Sequence, residues 1–277
     1  MHISMKKEMW QNGFGRAGLL ILVAFGGIAI AAPFIASDPA AVSGNTLCPP
    51  SASHLLGTND VGQDIWSRLV FSARTSLVIS LGAGLLSTVL SFLLGAGAAV
   101  AGGFTEQTIM RLADAFLILP GVVVMIVISA WIQPGTLSLI LMIACFHWQG
   151  GARIVRSRTL SLMARTHIRA ARACGAGRWY LIRRHILPEL LPVLLVGFVF
   201  SARAAVFLEA GLAFIGISGP DRISWGMMIH HAMKYYYLPA WKWWLIPSGA
   251  AVSVLILGLV FTGHAMEKFI DPRLRDA

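Results

Sequence analysis

The stretch "IRAARACGAGRWYLIRRHILPEL", Ile168 to Leu190, decides how the rest of the chain is read. Extended back to Gly150, it holds nine arginines: Arg153, Arg156, Arg158, Arg165, Arg169, Arg172, Arg178, Arg183 and Arg184. No acidic residue occurs between Asp114 and Glu189. Such a run is either a nucleic-acid patch or a loop held on one side of a membrane.

Composition separates the two. The 277 residues are 57% hydrophobic and only 12% charged, with a mean hydropathy of +0.73. Soluble domains average about 25% charged side chains, so half that value points to lipid as the solvent. A net charge of +10 and a pI near 10.3 would suit a nucleic-acid partner. A soluble nucleic-acid binder, however, needs polar surface all round, and here charge is confined to a few short windows. The reading is a membrane protein with no nucleic-acid partner.

A helix needs about 20 mostly apolar residues to cross a bilayer. Six segments are expected to do so: Ala17–Ala36, Leu77–Gly103, Leu112–Ile132, Leu137–Trp148, Leu191–Ile217 and Leu245–Ala265. The fourth is short and either extends through Gln149-Gly150 or is broken. The first is expected to be an uncleaved anchor, because it is long and lacks a clear cleavage box. The fold class is therefore all-α, polytopic, with six transmembrane helices. Residues 1–76 form a head, the first span and an external loop; 77–265 form the core, with a loop at 150–188; and 266–277 form a tail.

Lys and Arg stay preferentially in the cytoplasm. Lys6, Lys7, Arg16 and the nine loop arginines therefore place the head, the 150–188 loop and the tail on the cytoplasmic side. Ser37–Ser76 and Ser218–Trp244 belong outside, although the latter carries three bases against one acid. Cys48, Cys145 and Cys174 lie far apart, without disulfide or zinc spacing. They read as free thiols.

The arginine loop has internal order. A short helix from about Thr166 to Cys174 would use Ile168, Ala170, Ala171 and Ala173 as small or apolar contacts. Arg165, Arg169 and Arg172 would share another face. Gly175 and Gly177 end that helix, as glycine does at a C′ position. Trp179, Ile182 and Ile186 then recur at helical spacing before Pro188 opens the fifth span. A helix, a glycine turn and a helix with one apolar stripe suit contact with another protein.

At these residues the sequence resembles the cytoplasmic signature of binding-protein-dependent ABC importer permeases: Glu-Ala-Ala, three residues, Gly, then a distal Ile-x-Leu-Pro-like end. Ala170, Ala171, Gly175, Ile186, Leu187 and Pro188 fall on that pattern, and Arg169 stands where the family has Glu. "HLLGTNDVGQDIWSRL" (His54–Leu69) is similar to an element of the second permease subunit of the dipeptide/oligopeptide/nickel class, with Asn59 and Gln63 replacing the usual Asp and Arg. "EAGLAFIGISGPDRISWGMMI" (Glu209–Ile229) and the terminal "DPRLR" (Asp271–Arg275) are similar to two further elements.

The resemblance implies the type I ABC importer permease fold and a bacterial or archaeal inner-membrane location. It implies a coupling role for the 150–188 loop, seated in a cleft of a cytoplasmic ATPase. Its implied partners are a second homologous permease, two ATP-binding subunits and an extracytoplasmic substrate-binding protein, with peptides, nickel or another metal chelate as cargo. The chain itself has no Gly-x-x-x-x-Gly-Lys-Ser/Thr loop to cradle phosphates, so it is read as a transport subunit without enzymatic activity or cofactor. The alternative is a stand-alone secondary carrier or channel. That reading calls for paired broken helices or inverted repeats, which the sequence does not display.

Charges within spans are costly and default to functional roles. Asp114 is expected to pair with Arg111. Arg203 and Glu209 in the fifth span are pathway candidates; Arg203 either meets a carboxylate or anionic chelate or pairs between helices. His230 and His231 tempt a nickel reading, but two histidines without a third ligand fit packing better, and no metal ligand is assigned. Tyr235–Tyr237 with Trp241, Trp243 and Trp244 fit an interfacial belt. Gly82, Gly84, Gly95, Gly97 and Ala98 in the second span favour close helix packing.

Overall fold

A computed structural model describes residues 13–217, Gly219 and residues 222–270. Lys6, Lys7 and the Asp271–Arg275 motif lie outside them. The described residues form helices α1 (Gly13–Ile35), α2 (Ile65–Ala101), α3 (Gly103–Ile118), α4 (Gly121–Ile132), α5 (Thr136–Cys145) and α6 (Trp148–Met163). They continue as α7 (Thr166–Ala173), α8 (Arg178–Leu181), a π-turn (Ile182–Ile186), α9 (Leu187–Phe214), α10 (Trp225–Met233) and α11 (Trp241–Ile270). No strand occurs among the described residues; only two isolated β-bridges, Val42 with Gln63 and Thr58 with Asp64, tie the loop before α2.

Four helices are long and apolar enough to cross a membrane: α1, α2, α11 and the run Arg178–Phe214. Counting each of two bent pairs as one span makes six. The third expected span is not one rod. It breaks into α3 and α4 at an 81° bend, where Pro120 has no N–H to continue the ladder. The fourth both extends and breaks: α5 and α6 meet at 47° around Phe146-His147. A break in the fourth span is one of its two expected forms; the break in the third, which makes a pair of bent spans, is not expected from the sequence.

The second span also begins earlier than expected, so the boundary drawn at 76/77 falls inside α2. Asp64 caps its first turn, accepting from the Ser67 amide at 2.8 Å and the Ser67 hydroxyl at 2.7 Å. Such a cap is a strong helix start. At ~1.5 Å per residue the 37 residues of α2 run about 55 Å, well beyond the ~30 Å hydrocarbon layer.

α2 is the central post, packing against α9, α6 and α5. Two glycines allow this. A Cβ at Gly84 would meet the Ala202 backbone at 2.8 Å, and one at Gly95 would meet the Ala152 carbonyl oxygen at 2.4 Å. Small residues let membrane helices approach where lipid gives no hydrophobic drive. Gly97 differs from expectation, since a Cβ there meets nothing within 4 Å. One buried hydroxyl ties two helices, since a bilayer offers no water to satisfy it: Ser91 donates to the Trp148 carbonyl oxygen at 2.8 Å, beside the α5–α6 break.

Candidate coupling and pathway sites

The residues of the opening stretch assemble at one end of the bundle. α7 buries a single side chain, Ile168, which is 1% exposed. Ile168 enters a cluster with Leu181, Ile186, Leu190 and, from α2 and α6, Ala96, Val100, Val155 and Leu162. Arg169, Ala170 and Arg172 lie exposed on the outer side. Ala171 is half-buried against the cluster. Of the small contacts expected from sequence, Ile168 and Ala171 face inward, whereas Ala170 and Ala173 face out.

The turn after α7 explains the spacing of its motif. Gly175 has φ +85°, where a side chain is costly. Its amide donates to the Arg172 carbonyl at 3.1 Å, and the Ala176 amide donates to the Ala171 carbonyl at 3.1 Å. These two bonds are the Schellman closure of a helix end, with the C3 and C″ residues in apolar contact. Ala171 and Ala176 occupy those positions and both pack on the same cluster. Gly177 has an extended φ of −68° as the N-cap of α8, so it is Gly175 alone that needs to be glycine for its conformation.

The apolar stripe after the turn differs from the one read in the sequence. Trp179 is 67% exposed, and the fully buried pair is Leu181 and Ile186. The π-turn between them adds one residue to the helical period, so positions five apart share a face. It sits directly before Pro188, which cannot donate to the Arg184 carbonyl. Leu187 is half-buried and Pro188 exposed at the start of α9.

Ion pairs brace this end. Glu189 accepts from Arg165 and lies 3.4 Å from His167, tying α7 to α9. Asp114 pairs with Arg153, not with Arg111 as expected, and Glu106 pairs with Arg156 at 2.5 Å. Both contacts bolt α3 to α6. The α3–α6 approach brings distant residues closer than three-apart neighbours on one helix. The Asp114–Arg153 pair is half-exposed on both sides, so it contributes about 0–1 kcal/mol.

At the other end, Glu209 is 1% exposed and lies 3.7 Å from Arg222 in the loop before α10. It is placed in this ion pair and does not line the cleft described below. Burial lowers the Arg222 pKa, and the Glu209 carboxylate opposes that shift. Ser224 caps α10 by accepting from the Met227 amide, and Trp225 donates its indole N–H to the Leu69 carbonyl at 3.0 Å. A Cβ on Gly226 would meet Ala213 at 2.7 Å. Ser-Trp-Gly therefore supplies a helix cap, a cross-link to α2 and a close approach to α9.

His230 and His231 diverge. The His230 Nδ1 donates to the Phe214 carbonyl at 2.7 Å, which fixes its proton on that nitrogen. His231 stacks on Trp244 with an interplanar angle of 3°. Among the described residues no three His, Cys, Asp or Glu side chains converge to hold a metal ion. The expected belt is split. Tyr236 and Tyr237 are exposed, but Trp244 is buried in the core. Asn59 and Gln63, the two departures in the external element, contact each other, with the Asn59 amide donating to Gln63 Oε1 at 2.9 Å.

Between these ends lies a cleft of about 500 Å³, lined by Ser91, His147, Gln149, Arg158, Phe200 and Ser201 among others. The Arg203 guanidinium lies over the Phe200 ring, 5.3 Å from its centroid. No carboxylate of the described residues is within ion-pair distance of Arg203. Sequence reasoning singled out Arg203 but missed the cleft, which α2, α3, α6, α9 and α11 form only once packed.

These features define a polytopic α-helical membrane protein with a built helical contact at one end and a cleft between its spans. The chain belongs to the family of binding-protein-dependent transport system inner membrane components, whose sequence model matches residues 68–276. It is a transport subunit rather than an enzyme. It is 35% identical over 226 residues, 81% of this chain and 74% of the relative, to a Brucella suis biovar 1 protein named as a peptide permease. Another Brucella suis protein, named as a peptide transport system permease, is 35% identical over 99% of this chain and 92% of its own length. An Escherichia coli K12 protein named as a D,D-dipeptide transport system permease is 32% identical, covering 88% and 82%.

Proposed function

We propose that this chain forms half of the translocation pathway of an ATP-driven peptide importer, with α7 as its contact to a cytoplasmic ATPase. The observation that carries the reading is the construction of α7. Buried Ile168 and half-buried Ala171 anchor it to the spans, a Schellman turn fixes its end, and the face with Arg169, Ala170 and Arg172 is exposed toward a partner. A helix held this way transmits a push to α9 through the Ile168–Ile186–Leu190 cluster. Ala170, Ala171, Gly175, Ile186, Leu187, Pro188 and Arg169 are the coupling residues in this reading.

The family supports a binding protein, an ATPase and another permease as partners. The complement proposed is one homologous permease and two ATP-binding subunits. The N- and C-termini and α7 are cytoplasmic, following the arginines. Peptide cargo is favoured over nickel or another metal chelate by the names of the relatives.

Uptake of labelled dipeptide and of labelled nickel, in matched cells with and without this gene, tests the reading. Peptide uptake that needs both the gene and ATP is expected. Uptake that persists without ATP would mean a secondary carrier or channel, and gene-dependent nickel uptake alone would move the cargo to metal chelates.

A further inference from the structure

The cleft carries two charges of opposite sign. Of the residues that line it, only Arg158 and Glu267 are Arg, Lys, Asp or Glu. Neither has an ion-pair partner among the described residues, and they do not pair with each other. The rest of α6 behaves differently: Arg153 and Arg156 turn to α3 and pair there with Asp114 and Glu106. Arg158, on the same helix, lines the cleft instead. It lies ten residues along α6 from Trp148, about 15 Å at ~1.5 Å per residue. Glu267 is the single acidic residue of α11 and lies close to its end at Ile270. Much of the remaining wall is apolar, with Phe146, Ile154, Val193, Leu194 and Phe200.

We infer that the cleft is a binding station for a short zwitterionic peptide: Arg158 takes the C-terminal carboxylate, Glu267 the N-terminal ammonium, and the apolar wall the side chains between. A guanidinium and a carboxylate match in a two-pronged fork. Arg158 and Glu267 are each other's natural partners, so a cleft that holds them apart offers both to a ligand carrying the two counter-charges. A charge beside an apolar wall loses hydration, which favours such a ligand over a blocked, uncharged one. Peptide termini are constant while side chains vary, so two charges facing apolar walls bind many sequences alike. At ~3.3–3.6 Å per residue a di- or tripeptide spans about 7–11 Å. The cleft volume of about 500 Å³ lies within the range of small-ligand sites, roughly 300–1,000 Å³. Val155 and Leu194 line the cleft and also pack in the cluster that holds Ile168 of α7. A push on α7 therefore reaches the cleft wall. The inference rests on the reading of the chain as a peptide-importer subunit.

The test uses the complete importer complex in nanodiscs, with Val193→Cys as a reporter on the cleft wall and Cys48, Cys145 and Cys174 replaced by serine. The rate at which neutral N-ethylmaleimide modifies the introduced thiol is measured against the concentration of Ala-Ala, Ala-Ala-amide or N-acetyl-Ala-Ala. Ala-Ala is expected to half-protect at a concentration at least tenfold lower than either blocked peptide. Arg158→Gln should erase the difference between Ala-Ala and its amide and keep that between Ala-Ala and its acetylated form. Glu267→Gln should do the reverse. No protection, or equal half-protecting concentrations for all three peptides in the complex with both charges intact, overturns the station without reference to any charge variant. Discrimination at one terminus only overturns the zwitterion assignment. Arg158→Glu combined with Glu267→Arg separates the remaining role, an ion pair that shuts the cleft. Uptake lost in each single reversal and regained in the double one, with all three peptides protecting alike, would assign that role and overturn the station. ATP-dependent uptake is measured in proteoliposomes made from the same complex: its absence with both charges intact rejects the importer reading, whereas the protection pattern decides the station.

Discussion

The backbone amide of Ala176 donates to the Ala171 carbonyl across Gly175, and the same two alanines touch the cluster that holds α7 to the spans. The motif spacing is thus the geometry of a helix end.

Gly175→Val is predicted to uncouple transport. At φ +85° an L-residue costs about 1–2 kcal/mol, and a β-branched one more. The expected result is at least a tenfold loss of ATP-dependent uptake with an unchanged amount of protein in the membrane. Gly175→Asn should retain most uptake, because asparagine tolerates the left-handed region. Unchanged uptake in the valine variant would remove α7 from the coupling role.

Arg169→Glu is predicted to weaken assembly. Arg169 and Arg172 are exposed on the outer side of α7, and no carboxylate of the described residues is within ion-pair distance of either. A cationic face of this kind is complementary to an acidic cleft. Recovery of the ATPase in a pull-down at low salt should fall at least fivefold. The gap between variant and wild type should narrow at high salt, where exposed charges are screened. Full recovery at low salt would mean that Arg169 merely occupies the family's acidic position.

What the sequence made legible follows from which forces are local. Composition and hydropathy exposed the spans, because a bilayer selects every residue of a crossing helix. Gly175 was legible because only backbone conformation asks for glycine there. Trp179 was misplaced because the π-turn before Pro188 shifts the helical phase by one residue, which periodicity cannot register. The Asp114–Arg153 pair and the cleft beside Phe200 depend on how α3, α6 and α9 meet. Spacing along one helix carries no trace of such contacts. The exchange of Asp and Arg for Asn59 and Gln63 looked like two separate departures. Their mutual hydrogen bond makes them a matched amide pair.

Glu209→Gln is predicted to destabilise the fold rather than to alter cargo choice. The carboxylate is 1% exposed and Arg222 9% exposed, and removing one member of a buried pair costs about 3–5 kcal/mol because the other charge stays buried. A clear drop in the thermal midpoint of the purified protein is expected, with the ratio of dipeptide to tripeptide uptake unchanged in the surviving protein. A changed ratio at unaltered midpoint would return Glu209 to the pathway.

His231 predicts how stability depends on pH. Burial lowers its pKa first, and Lys234, His230 and Arg68 add to that, against an opposing pull from Asp60. Its ring is also stacked on Trp244, which in turn stacks on Tyr235. A histidine whose folded pKa lies below the ordinary value of 6.5 takes up its proton more readily unfolded than folded. The unfolded chain therefore binds more protons between the folded value and about 6.5, and stability rises with pH through that window. Above it the ring is neutral in both states and its contribution is complete. On acidification below about 6.5 the contribution is progressively lost. The thermal midpoint of the wild-type protein should thus fall more between about pH 7.5 and 5.5 than that of His231→Gln, which has no ring to protonate. The two proteins are compared by the difference of their pH slopes, so that titration of the other histidines cancels. Parallel slopes would show that the folded protein accepts a proton at His231 as easily as the unfolded chain does.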